Sequence, residues 1–166
     1  MRFVLALCVV AGCTLCGSAM AGAARRRVRL LEALIEGIKR MRPHMIGMFE
    51  PVKRALEASL CPPLEAVGSA MGPGVGAAEA WARVRGAEGR RGGGIDALTP
   101  EDTEILDGFF DQLGETGRDQ QELLLAGVCA ALEQNLEAAR KRVGEADRLY
   151  ISLGALTGLM IALILI

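Results

Sequence analysis

The chain has 166 residues, room for one domain of ordinary size, and 51% of them are apolar with few aromatics, a mixture rich in Leu, Ala, Gly and Val that suits helices better than sheets. The net charge of -1 hides a partition, since all 20 Asp and Glu and every Lys and Arg except Arg2 lie between Arg25 and Arg148. A near-neutral balance without one long basic stripe argues against nucleic acid as a partner. Of the five cysteines, Cys8, Cys13 and Cys16 lie in the hydrophobic N-terminal segment as small apolar residues, and the remaining two, Cys61 and Cys129, are far apart and form no Cys-x-x-Cys pattern, which argues against a disulfide framework and for a reducing compartment.

From Phe3 to Ala24 no residue is charged, and at about 1.5 Å per residue a helix of that length crosses a hydrocarbon core of roughly 30 Å. A transmembrane helix is therefore predicted over residues 1–24. Arg25, Arg26, Arg27 and Arg29 follow it while only Arg2 precedes it, so the positive-inside rule holds the following segment in the cytoplasm. A competing reading is a cleaved export signal ending near Ala19-Met20-Ala21, or a lipoprotein signal at Val10-Ala11-Gly12-Cys13. The arginine cluster resists translocation and favours the retained anchor.

Residues 25–148 read as a small all-α domain, a bundle of short elements. Val28, Leu31, Leu34, Ile35, Ile38 and Met41 recur every three or four residues, which predicts an amphipathic first helix. Pro43, Pro51 and the Pro62-Pro63 pair then break or kink the pattern, leaving brief helices over 52–60 and 64–71. Trp81, among alanines, reads as a core anchor of a further short helix. The Gly-rich run 86–94 lacks a Gly-Lys-Ser/Thr and follows a helix, so it reads as a flexible linker and not a phosphate loop. Thr99-Pro100-Glu101-Asp102 announces a helix: a capping hydroxyl, a proline for the first position and two carboxylates at the positive end of the dipole. Ile105, Leu106, Phe109, Phe110 and Leu113 form its apolar face, and Gly114 with Gly117 turns the chain. From Arg118 a long helix follows, with Leu124, Val128, Leu132, Asn135, Leu136 and Ala139 close to a seven-residue repeat.

The final segment, 149–166, is again uncharged and long enough for a second transmembrane helix. Arg140, Lys141, Arg142 and Arg148 flank it on the same side as the first cluster, so both inner flanks face the cytoplasm. The last helix of the bundle is expected to run into the membrane as one rod. Gly154 and Gly158 have the spacing that lets helix backbones approach closely in lipid, against the first span or another subunit.

Catalytic chemistry finds little purchase. His44 is the sole histidine and has no cysteine, serine or carboxylate at a spacing that defines a triad or a metal site. No cofactor is expected. Glu101, Asp102, Arg118 and Asp119 lie around one helix turn in this reading and are the candidates for partner contact, set against their roles in capping and solvation.

Several motifs in order then carry a likeness: Ala78-Glu79-Ala80-Trp81, Leu98-Thr99-Pro100-Glu101-Asp102 with Glu104-Ile105-Leu106, Leu113-Gly114-Glu115-Thr116 leading to Gln121, and Tyr150-Ile151-Ser152-Leu153-Gly154. With the architecture, they make the chain resemble the stage III sporulation protein AB family of endospore-forming bacteria, most specifically in its second half. Gly117, where the family favours aspartate, and the Gly-rich insertion before Ile95 depart from it. The resemblance implies a soluble part like the helical cytoplasmic domain of type II secretion and type IV pilus platform proteins, a bundle of about six short and medium helices between two transmembrane helices. It also implies a non-enzymatic platform in a secretion-like channel complex, in the mother-cell membrane facing the forespore. The partners it implies are membrane lipid, other subunits of that complex and a cytoplasmic secretion-type ATPase; homo-oligomers are also possible. The rival reading from the N-terminus is an exported, tail-anchored or lipid-modified helical binding protein.

Overall fold

A computed structural model describes residues 24–48, 50–88, 94–115 and 117–165, together with Gly22; at 88, 94 and 146–165 the description is of the backbone alone. The described residues form six α-helices and no strand: α1 over 24–42, α2 Val52–Glu57, α3 Pro62–Ala70, α4 Ala77–Glu88, α5 Pro100–Gln112 and α6 Arg118–Leu165. A π turn, Pro43–Gly47, continues α1, and a short 3-10 turn, Gly94–Ala97, precedes α5.

The apolar face of α1 folds as its spacing predicts, with Leu31, Leu34, Ile35, Ile38 and Met41 all buried. The π turn follows at Pro43, which has no N–H to donate to the preceding turn; the Met48 N–H reaches back to the Pro43 carbonyl at 3.1 Å. The break expected around Pro62-Pro63 is there, between α2 and α3, but the prolines themselves open α3, two residues before its expected start, because the N–H groups of a first helical turn have no intrahelical acceptor and prolines there forfeit nothing. Leu60, just before them, takes a left-handed φ of 53° and swings the chain from α2 into α3. Gly37 lets α3 come close to α1: a Cβ there would stand 2.8 Å from both the Cys61 Cβ and the Leu64 Cδ1.

On the other side of the core, Trp81 is buried as anchor and stacks on Phe110 with ring centroids 5.0 Å apart. Its indole N–H donates to the Asp107 carboxylate at 2.6 Å, and Arg85 reaches both oxygens of the same carboxylate. These bonds hold α4 against α5. The helix α4 runs through Gly86 to Glu88, so the first three residues of the expected linker are helical. One glycine costs a helix roughly 1 kcal/mol, too little to end it where α4 already packs on its neighbours. Residues 89–93 of that linker lie outside the described residues.

Leu106, Phe109, Phe110 and Leu113 are buried on α5, and Gly114, at φ 87°, turns the chain toward α6 as a left-handed residue after a helix end commonly does. Along α6, Leu125, Val128, Leu132, Leu136 and Ala139 are buried in the bundle. Its backbone then continues without interruption to Leu165.

Among the described residues no helix is long and apolar enough to cross a membrane. The first expected span, 1–24, lies almost wholly outside the described residues, and of the second, 149–166, only the helical backbone to Leu165 is described. The close packing expected at Gly154 and Gly158 falls there too.

Candidate functional site

Two cross-helix ion pairs show how α1 lies against α6. Lys39 pairs with Glu133 at 2.7 Å and Glu32 with Arg140 at 2.6 Å. Seven residues back along α1 are matched by seven residues forward along α6, so the helices are antiparallel. Seven further steps bring residue 25 level with residue 147. The start of α1 and the departing length of α6 therefore share one end of the bundle, the near end. The π turn, the start of α6 and the α5–α6 turn make up the far end.

At the near end lies the most heavily bonded polar group of the fold. The Asp102 carboxylate is completely buried and accepts from five donors on three helices. Arg27 of α1 donates through Nε at 2.8 Å and through Nη2 at 3.0 Å. The Thr99 N–H and hydroxyl donate at 3.0 and 2.8 Å, and the Asn135 amide of α6 at 2.8 Å. Thr99 completes a capping box by accepting from the Asp102 N–H, and its hydroxyl also accepts from Arg27 at 3.1 Å. Burial by itself would push this carboxyl up, but the Arg27 guanidinium, with Thr99 and Asn135, holds it below the usual carboxylate range.

This geometry divides the four residues expected to meet a partner. Asp102 has no surface to offer; its oxygens are spent inside the bundle. Glu101 beside it is exposed. Arg118 and Asp119 are exposed at the start of α6, separated from Glu101 by the full length of α5, about 18 Å at the ordinary helical rise. The four thus do not surround one helix turn, because a complete helix and a turn intervene between the two pairs. With Arg118 and Asp119 at the far end stand two large apolar side chains left in solvent, Leu123 at 72% and Met48 at 65% exposure.

Elsewhere the surface is largely self-paired. The depression between α1 and α6 is lined by Ile35 and Leu136 among Glu32, Lys39, Glu133 and Arg140, the residues of the two cross-helix pairs. His44 binds Glu50 at 3.0 Å. Burial pushes the thiols of Cys61 and Cys129 up, away from the reactive thiolate. Among the described residues no three His, Cys, Asp or Glu side chains are grouped to hold a metal ion.

Sequence reasoning missed the Arg27–Asp102–Asn135 link, having taken Arg27 only as one of a topology-setting cluster. A signal existed: Asn135 interrupts an apolar repeat, and a polar residue there needs a buried partner. It missed Leu123 as well, since Leu123, Leu124 and Leu125 are alike in type and only the packing of α6 shows which one faces water.

The family model described as stage III sporulation protein AB matches residues 2–166. Among curated proteins, and among solved structures, no match was found.

Proposed function

The chain belongs to the stage III sporulation protein AB family, and from that premise we propose that it is a non-enzymatic membrane platform. In this reading two apolar segments, 1–24 and 149–166, hold the helical bundle at the cytoplasmic face of the mother-cell membrane that faces the forespore. There it links a secretion-type ATPase to the other subunits of a secretion-like channel complex.

The observation that carries the reading is the antiparallel register of α1 and α6, marked by the Lys39–Glu133 and Glu32–Arg140 pairs. It brings the bundle's two connections to the apolar segments level with one another at the near end, as two spans entering the same bilayer face require. The unbroken α6 backbone supports a stiff connection between bundle and membrane. The far end, with Arg118, Asp119, Leu123 and Met48 exposed, then faces the cytoplasm and suits a soluble partner. Gly154 and Gly158 supply close packing of the second span against the first or against a neighbouring copy.

The test is topological. A Gly92→Cys variant of the full chain is treated in cells with a membrane-impermeant thiol reagent, with the unsubstituted chain as baseline. Added labelling only after permeabilisation is the expected result. Added labelling in intact cells places the bundle outside and overturns the platform in favour of an exported binding protein.

A further inference from the structure

The cations of α1 fall into two groups that the fold treats differently. At the far end each is neutralised by a carboxylate: Lys39 by Glu133 at 2.7 Å, Arg40 by Glu36 at 3.2 Å, and Arg42 by Glu122. At the near end Arg27 is absorbed by Asp102 and Arg140 by Glu32. Arg26, Arg29, Lys141 and Arg142 are exposed there, and none of the four has a carboxylate partner among the described residues. Among the described residues Arg29 donates only to the Arg25 carbonyl, at 3.5 Å. The register that brings residue 25 level with residue 147 sets this unneutralised charge on two adjacent helices around one end of the bundle. Among the described side chains, exposed carboxylates near it include Glu101, Glu137 and Glu145. They do not close pairs with these four, although Glu137 and Glu145 each stand four residues from Lys141 on α6, where such a pair would ordinarily form.

We propose that Arg26, Arg29, Lys141 and Arg142 form a cationic collar that binds anionic phospholipid headgroups. The inference rests on the membrane reading above and deepens it by naming the lipid class. The occupant follows from position. The collar borders two uncharged apolar segments, so in the membrane it stands at the level of the headgroup phosphates, where juxtamembrane Lys and Arg are attracted to an anionic leaflet. Far-end cations, with their own carboxylates, add little to such a field. Arginine at this level also offers paired N–H donors to phosphate oxygens.

The full chain, reconstituted in phosphatidylcholine vesicles, is probed with spin-labelled phosphatidylglycerol and spin-labelled phosphatidylcholine, and their relative association with the protein is read from the motionally restricted component. Phosphatidylglycerol is expected to be preferred several-fold, the preference falling as salt is raised. The preference comes from the attraction of juxtamembrane cations to anionic headgroups, so Arg26→Gln, Arg29→Gln, Lys141→Gln and Arg142→Gln together should abolish it. The control Lys39→Gln, Arg40→Gln and Arg42→Gln should keep it. Equal association of the two lipids, an unchanged preference in the collar variant, or its loss in the control overturns the collar while leaving the spans in place. Competition by millimolar inorganic phosphate to the same degree identifies a free-anion site and overturns it also. A chain that does not enter the vesicles overturns the membrane reading and the collar together.

Discussion

Asp102 shows how one residue's role depends on what surrounds it. As a helix-start carboxylate it caps α5 through the Thr99 box; as a buried anion it also ties α5 to Arg27 of α1 and Asn135 of α6. Removing one partner of such a pair strands the other, at a cost of about 3–5 kcal/mol. Asp102→Ala is therefore expected to lower the unfolding free energy by about that much, whereas Glu101→Ala next to it stays within about 0.5 kcal/mol, both read from urea unfolding followed by circular dichroism. The pH dependence has a definite sign. The folded-state carboxyl is held below its ordinary value, near 3.9 in an unfolded chain. Its contribution is thus fully present above that pH and is lost as the pH falls through the lower, folded value. An Asp102→Asn variant should be less stable at neutral pH and should show a shallower loss of stability below about pH 4.

Two glycines separate what packing requires from what a helix merely tolerates. At Gly37 an added Cβ meets the Cys61 Cβ and Leu64 Cδ1 at 2.8 Å, and the first of these is bonded directly to the backbone. Gly37→Ala forces α1 and α3 apart, and overpacking of this kind costs about 1–3 kcal/mol. Gly127, within α6, has nothing within 4 Å of where its Cβ would stand, so Gly127→Ala should stabilise the helix by up to about 1 kcal/mol. Thermal melts of the two variants should move in opposite directions. The elements themselves were legible wherever local chemistry decides: the periodicity of α1, the Thr99-Pro100 start of α5 and the Gly114 turn all act within a few residues. Pro62-Pro63 showed the break but not the start of α3, because the same residue ends one helix and opens another, and which it does depends on whether α3 finds a face to pack on.

At the scale of the molecule, the bundle has two ends with different surfaces. The near end carries cations with no carboxylate partner among the described residues; the far end carries Arg118 and Asp119 beside exposed Leu123. If the far end meets the ATPase, the double reversal Arg118→Glu with Asp119→Arg should leave the melting temperature within a few degrees of the unsubstituted chain and abolish co-purification of that ATPase from sporulating cells. Unchanged co-purification removes both residues from the interface.

The sequence alone determined the helical class, the placement of most helices, the uncharged ends and the family likeness, because each of these is written in composition, in short-range spacing or in a single capping residue. Only the tertiary structure decided which charges are spent and which remain. Asp102 and Arg27 are 75 residues apart, and Arg140 and Glu32 are 108 apart. No local preference links such pairs; they meet because burial of the shared apolar core sets the register of α1 against α5 and α6. That register removes Asp102 from the surface, splits the four expected contact residues between opposite ends, and leaves one end of the bundle cationic.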